Sequence, residues 1–469
     1  MKLELFIFLF VYFLLVLVVS FVFSKKMKNI EDFFLASRNL PAFIIYLSLS
    51  ASWFGATSTL VSADEAYKTG VSSFWIMGVP AVLTVLLLAF FLARPIRRLR
   101  IISLPDLVEM RYGRTVRHLA SLLIIWYMAV LASSQMVAIG HFLKSFLGTS
   151  YFTGLVLGTA VVLVYSVFGG FFSVAVTDSL QFFLLVVGIF SLFFFLSGST
   201  SLKEISFFAS EAGKSQYFDL FFDLKRNFLT ALSFTLAWTI SPIAWQRIQA
   251  ARSDRGARQA LFAASGTFFL FYGVVVFIGM LSLPVFRSQR VGVPLLSEII
   301  STKSGGFLAG ILFVAIVAAI MSTMDTAINT GAFSLTRDVY QQIFPSRRGK
   351  GIVLVGRLST FFVGGVAFLI ATQFQSILKT LGLASEIMAE GFFIPGVAMI
   401  FLKKKLPLAG LLSLSLGGGF SLIGFLCEMK LLSLNWPSWP YSVPYGLSVC
   451  LAGFLTGFFI EKYIKTKKA

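Results

Sequence analysis

Hydroxyl and carboxyl side chains set inside long apolar runs are the residues of this chain that can do chemistry. Ala319, Ser322 and Thr323 stand at i, i+3 and i+4, so on a helix they share one face. Oxygens grouped in this way suit a hard cation. The same hydroxyls can instead bond back to carbonyls of the preceding turn. Asp325 lies three residues after Ser322, close to that face. Asp178 is a second carboxylate in apolar surroundings, and Glu386 and Glu390 are a pair one helical turn apart. At bilayer depth a carboxylate costs roughly 2.5–3.5 kcal/mol, so it faces a partner or a wet cavity. Asp178 can also cap a helix start. Glu386 and Glu390 can meet a cationic solute, carry a proton or pair with Lys379. The chain shows no nucleophile–base pair, metal triad or nucleotide motif, so no catalytic residue is assigned and the chain reads as a non-enzyme. Cys427 and Cys450 give no pairing framework, and His118 and His141 read as structural.

The elements that must position these residues cross a membrane. Of the 469 residues 57% are hydrophobic and 13% charged, and 54 are phenylalanine, more apolar surface than a soluble globule can hide. About 13 apolar runs are each near the length, roughly 20 residues, that spans the hydrocarbon as helix. Their expected limits are 5–24, 41–62, 71–93, 119–146, 151–168, 171–197, 228–246, 260–284, 306–336, 352–372, 376–402, 406–427 and 442–462. A short connection at Gly169-Gly170 is expected between the fifth and sixth. The first run is too long for a signal core and reads as a retained anchor. The net charge of +19 is spread over loops between spans, a topology pattern that argues against nucleic acid as partner. About 27 of the 39 lysines and arginines fall on one side. That side is therefore cytoplasmic, with the N-terminus outside and the C-terminus inside the cell membrane.

Two spans are unfit for continuous helix. The second carries Ser48 through Thr59, rich in small and hydroxyl residues, and the seventh carries Pro242 near its middle. They lie five spans apart. Interrupted helices in matching positions point to an inverted-repeat transporter with a site near the midplane. Close packing through small residues and an ordinary proline kink remain the other explanation.

Four stretches resemble the sodium:solute symporter family, whose members carry sugars, proline, iodide and pantothenate. These are Asp32-Phe33-Phe34-Leu35-Ala36-Ser37-Arg38-Asn39-Leu40; Ser103-Leu104-Pro105-Asp106-Leu107 with Arg111-Tyr112-Gly113; Tyr165, Gly169-Gly170 and Thr177-Asp178-Ser179-Leu180-Gln181; and Ala319 to Asp325 through Arg337-Asp338-Val339-Tyr340. The resemblance implies an all-α integral membrane protein of the leucine-transporter-like fold, with two inverted five-helix repeats and transport by alternating access. The expected organisation is a flanking helix over 1–30, one repeat over 31–200, the second over 201–427, and a C-terminal helix with basic tail over 428–469.

The resemblance also implies a sodium site made of the carbonyls of Ala51, Phe54 and Ala319 with the hydroxyls of Ser322 and Thr323. Asp178 and Asp325 are then either a second cation site or supporting carboxylates. A solute pocket is expected from Trp53, Thr57, Gln135, Trp238 and Ser241, with Glu386 and Glu390 as further candidates. Trp238 matches a tryptophan of sugar-carrying members, which have polar residues near Trp53 and Ser241 that this chain lacks. The expected activity is sodium-coupled symport of a small polar solute by a monomer or weak oligomer. Proton coupling and a non-transporting solute sensor are the alternatives.

Overall fold

Hydrocarbon offers no hydrogen bonds, so a chain this apolar must satisfy its backbone within helices. The structure, a computed structural model, describes residues 2–24, 38–99, 101–287, 294–302, 306–344 and 351–468. Lys25, Lys26 and Lys28, the motif residues 32–37, and Arg347, Arg348 and Lys350 lie outside the described residues. The helices are α1 (Lys2–Ser24), α2 (Ala42–Trp53), α3 (Thr57–Leu99), α4 (Leu104–Tyr112), α5 (Arg114–Leu147), α6 (Tyr151–Ser197) and α7 (Leu202–Glu211). They continue with α8 (Leu224–Thr239), α9 (Pro242–Ala250), α10 (Asp254–Val285), α11 (Leu295–Thr302), α12 (Gly306–Ile343), α13 (Ile352–Gln373), α14 (Ile377–Gly391), α15 (Phe393–Phe401), α16 (Pro407–Glu428) and α17 (Val443–Lys468).

The expectation of about 13 spans is corrected. Among the described residues eight helices are long and apolar enough to cross a membrane, or up to ten if each bent pair is one span. The reasons are local. The second expected span stops after Trp53, where Phe54 turns to φ −89° and ψ 70°, leaving a helix of 12 residues. At 1.5 Å per residue that is about 18 Å, too short to cross. The chain resumes at Thr57 and runs 43 residues to Leu99, absorbing the third expected span. The fifth and sixth expected spans are one helix, because Gly169 and Gly170 continue it instead of turning. Glycine permits a break without requiring one. The seventh and eleventh are bent pairs, α8 with α9 at 42° and α14 with α15 at 44°.

Local chemistry sets the breaks. Pro242 opens α9, where its missing N–H is no loss, and Ser241 precedes it in extended backbone. The ends of the two interrupted segments are tied together. Leu40 N–H donates to the Ala250 carbonyl at 3.1 Å, and Arg252 N–H donates to the Leu40 carbonyl at 2.9 Å. The start of α2 and the end of α9 are thus held by backbone bonds that no side-chain change removes.

Between α4 and the end of α12 a set of charges replaces apolar packing. Arg337 donates to Asp106 at 2.9 and 3.0 Å and to Asp338 at 2.8 Å, and Ser103 donates to Asp338 at 2.8 Å. Arg117 donates to Asp338 at 3.1 Å and also pairs with Glu109 and Asp106. Burial pushes the Asp106 carboxyl up, but Arg337 and Arg117 beside it outweigh burial and hold it below the usual carboxylate range. Its contribution is therefore present at neutral pH and lost as the pH falls through that lowered value. Asp338 is 1% exposed and Arg117 5%. Asp338→Ala, which removes the acceptor shared by Arg117 and Arg337 and leaves them Asp106 and Glu109, is expected to cost about 1.5–3 kcal/mol. Lys68→Ala, at a pair whose lysine is 62% exposed, is expected to stay within about 1 kcal/mol. Thermal unfolding of the two variants in one detergent makes the comparison; equal midpoints would contradict a structural role for Asp338.

Candidate functional site

When a helix stops inside a membrane, its last carbonyls lose their donors. α2 stops at Trp53, and α12 packs its hydroxyl face against that end. Ser322 Oγ lies 3.1 Å from the Ala51 carbonyl and 3.0 Å from that of Ala319. Thr323 Oγ1 lies 3.3 Å from the Ser52 carbonyl and 3.4 Å from that of Ala319. Each hydroxyl carries one hydrogen, so two hydrogens serve carbonyls on both helices. Back-bonding within α12 and contact with α2 coexist. The structure thus brings Ala51, Ala319, Ser322 and Thr323 together, with the Phe54 backbone at the break itself.

Three neighbours fix the break. The Phe54 ring is fully buried and stacks on Phe271 at 3.9 Å. Gln135 on α5 accepts the Ala56 N–H at 2.9 Å, satisfying a donor at the start of α3. Gly55 permits the close approach, since a Cβ there would lie 2.5 Å from Thr323 Oγ1 and 2.7 Å from Gln135 Oε1. Gln135, expected as a solute contact, therefore also serves as a backbone cap.

Asp178 and Asp325 are both fully buried beside this cluster. Asp178 accepts from Ser48 at 3.3 Å and Ser52 at 3.4 Å. Asp325 accepts from the Tyr165 hydroxyl at 2.8 Å. The residue that sequence reasoning missed is Arg247 of α9, which the expected end of the seventh span at residue 246 leaves in a loop. It is 1% exposed. Its guanidinium lies 3.6 Å from Asp178 and donates to Ser52 Oγ at 2.6 Å and Thr326 Oγ1 at 3.4 Å. One buried cation thus joins α9 to α2, α6 and α12. Its partner aspartate lies far away in the chain, so only the positive charge after Trp245-Gln246 hinted at it.

A cavity opens on the other side of the break. Trp53, Thr57, Gln135, Trp238 and Ser241 line it together with Ser52, Tyr127, Leu131, Ile243, Thr323 and Leu381. Trp53 and Trp238 meet edge to face at 5.7 Å, and Trp238 stacks on Phe234 at 5.0 Å. The free space, about 40 Å³ for the centres of water molecules, suits a few waters or a small solute. Thr323 belongs to both the cavity wall and the oxygen cluster. Glu386 and Glu390 are not among the lining residues. They lie on another face of α14, towards α16 and α17, and Lys379 pairs with Glu428 instead.

A profile of the sodium:solute symporter family matches residues 33–417. The osmoregulated proline transporter OpuE of Bacillus subtilis (strain 168) is 27% identical over 413 residues, covering 82% of this chain and 81% of that protein. A sodium/proline symporter of Staphylococcus aureus is 24% identical, covering 97% of this chain and 91% of its own length. Among solved structures, the substrate-bound outward-open state of a Na+-coupled sialic acid symporter superposes with a TM-score of 0.78. It is 20% identical and covers 97% of each chain, a likeness that shows the fold. That fold is all-helical and multi-pass. The chain therefore belongs to the sodium:solute symporter family, as a transporter and not an enzyme, moving a small polar solute with sodium by alternating access.

Proposed function

We propose that the coupling sodium binds among the carbonyls of Ala51, Phe54 and Ala319 and the hydroxyls of Ser322 and Thr323. One observation carries this reading: carbonyl oxygens of Ala51, Ser52 and Ala319 crowd around two hydroxyls that have one hydrogen each. A hard monovalent cation supplies the positive charge that such an acceptor-rich cluster lacks. Asp178 and Asp325 add negative charge nearby, and Arg247 offsets part of it from within the protein. In this reading the two carboxylates support the sodium site electrostatically and Arg247 takes the place of a further ion.

The solute occupies the cavity between Trp53 and Trp238. No lining side chain carries a formal charge, which favours a solute without net charge and with an apolar body. A small zwitterion fits, and proline, named for two relatives, is the first candidate. Thr323, shared by both sites, gives the coupling a short path: sodium that draws the Thr323 oxygen also fixes the cavity wall. The expected repeat 31–200 supplies the break at Phe54, and 201–427 the one at Ser241. The lysine and arginine distribution supports an outside N-terminus and a cytoplasmic C-terminus in the cell membrane. One inward positive charge then gains about 2.3 kcal/mol per 100 mV, enough for more than tenfold accumulation.

The test is thermal unfolding of purified protein in sodium against equal potassium, with and without proline. Sodium alone is expected to raise the midpoint, and proline to add to it only in sodium. Identical midpoints in the two salts would sink the reading. Ser322→Ala is expected to raise the sodium concentration for half-maximal stabilisation at least tenfold, about 1.4 kcal/mol of lost binding. Asp178→Asn should shift the same titration in the same direction, because it removes charge near the cage; an unshifted curve would remove Asp178 from the sodium site. Gly55→Ala is expected to abolish the sodium effect by pushing Thr323 and Gln135 aside, a change that the same titration reads out directly.

A further inference from the structure

We propose that Glu386 and Glu390 form a proton-binding site at the joint between α14 and the helices α16 and α17, separate from the sodium and solute sites. Both carboxyls point away from the transport machinery. Leu381 lines the solute cavity, and Ser385 bonds Ser233 of α8 at 2.7 Å. The glutamates stand at i and i+4 on a different face, where Glu386 is 4% exposed and Glu390 fully buried.

The surroundings are built to receive Glu390. A Cβ at Gly446 would overlap its carboxyl, so the absence of a side chain on α17 makes the seat. Ser421 Oγ on α16 lies 2.9 Å from Glu390 Oε2 and 3.1 Å from the Glu386 backbone carbonyl. The serine has one hydrogen for two acceptors. When it points to the carbonyl, the contact with Glu390 needs a hydrogen from the acid itself. The other oxygen, Glu390 Oε1, is buried with no hydrogen-bond partner. An ionised carboxylate with such an oxygen needs a cation beside it, as Asp178 has in Arg247, whereas the carbonyl oxygen of a neutral acid tolerates the position without one. Ser442, just before α17, donates to Glu386, the other member of the pair.

No cation offsets the charge. Among the described residues neither glutamate is in an ion pair. Lys379 on the same helix is engaged by Glu428 of α16, and α17 presents only the Cys450 thiol, which contacts Ser413. Neither α5, α8 nor α15 brings an ionic partner to the pair. Two anions one turn apart with no counter-charge repel, so one proton is shared by the dyad in this packing.

The position makes that proton conformation-sensitive. Glu390 and Gly391 end α14, and the chain bends by 44° into α15 immediately after them. Movement of α14 away from α16 and α17 unseats Glu390, wets the pair and releases the proton. Proton occupancy therefore favours the joint as it stands, and alkaline pH loosens it.

The test uses the full-length protein in lipid nanodiscs and needs no solute. Infrared spectroscopy at neutral pH is expected to show a protonated-carboxyl band that Glu390→Gln or Glu386→Gln reduces. In thermal unfolding, the wild-type midpoint should fall relative to that of Glu390→Gln as pH rises from about 6 to about 9, because only the wild type gives up the proton. Coincident infrared spectra, or midpoints that run parallel with pH, would overturn the proposal. Should Glu390→Gln fail to fold, Ser421→Ala keeps both acids and is expected to shift the band. Sodium-specific stabilisation is expected to persist in Glu390→Gln, so failure here and failure of the sodium site are told apart.

Discussion

Backbone oxygens at the end of α2 have no helix to bond to and no water to replace it, and most of the central architecture answers that constraint. The Phe54 ring is wedged among Phe182, Phe268 and Phe271, which prevents the chain from winding back into helix. Gln135 takes the first loose N–H beyond the break, and the hydroxyls of α12 take the loose carbonyls before it. An intact helix cannot present main-chain oxygen to an ion at this depth. An unsupported break would cost several kcal/mol for each bare group. The structure meets the second demand with hydroxyl side chains, which rotation alone can turn away from the carbonyls, and in the proposed function a cation takes their place.

Charge is distributed by the same logic. Asp178 and Asp325 reach the centre only because Ser48, Ser52, Tyr165 and Arg247 meet them there. Arg247 matters most, since its contacts fall on separate helices and any relative movement of α9 must strain several at once. Asp106, Arg117, Arg337 and Asp338 repeat the device between α4 and α12. In each cluster acids and guanidinium groups from distant parts of the chain meet, an arrangement that fixes register but contributes little by apolar burial.

Much of this was legible in the sequence, and the exceptions share a physical origin. Composition and run length declared the membrane, and the hydroxyl-rich stretch before Thr59 announced the interruption. The i, i+3, i+4 spacing put Ser322 and Thr323 on one face. Span number was not legible, because run length records how apolar a stretch is and not where its backbone breaks or continues: residues 41–93 hold one short helix and one long one. Arg247 was taken for a loop cation because its acid partner, Asp178, belongs to another helix. Glu386 and Glu390 were readable as a pair but not as facing Gly446 and Ser421, since α14 is buried all round from Thr380 onward.

That uniform burial has a consequence for how the molecule moves. A helix that packs on every side cannot shift without changing all its contacts together, and α14 has the tryptophan-lined cavity on one face and the glutamate seat on another. Its neighbours differ in kind. Towards α8 it makes one hydroxyl contact, Ser385 to Ser233, beside an aromatic surface of Phe234 and Trp439. Towards α16 and α17 it makes close contacts between small residues, Gly391 against Gly418 and Glu390 against Gly446. Aromatic surfaces slide at little cost, whereas a carboxyl in a glycine-sized seat either fits or leaves. The first kind of contact tolerates graded adjustment; the second is either made in full or lost in full when α14 moves.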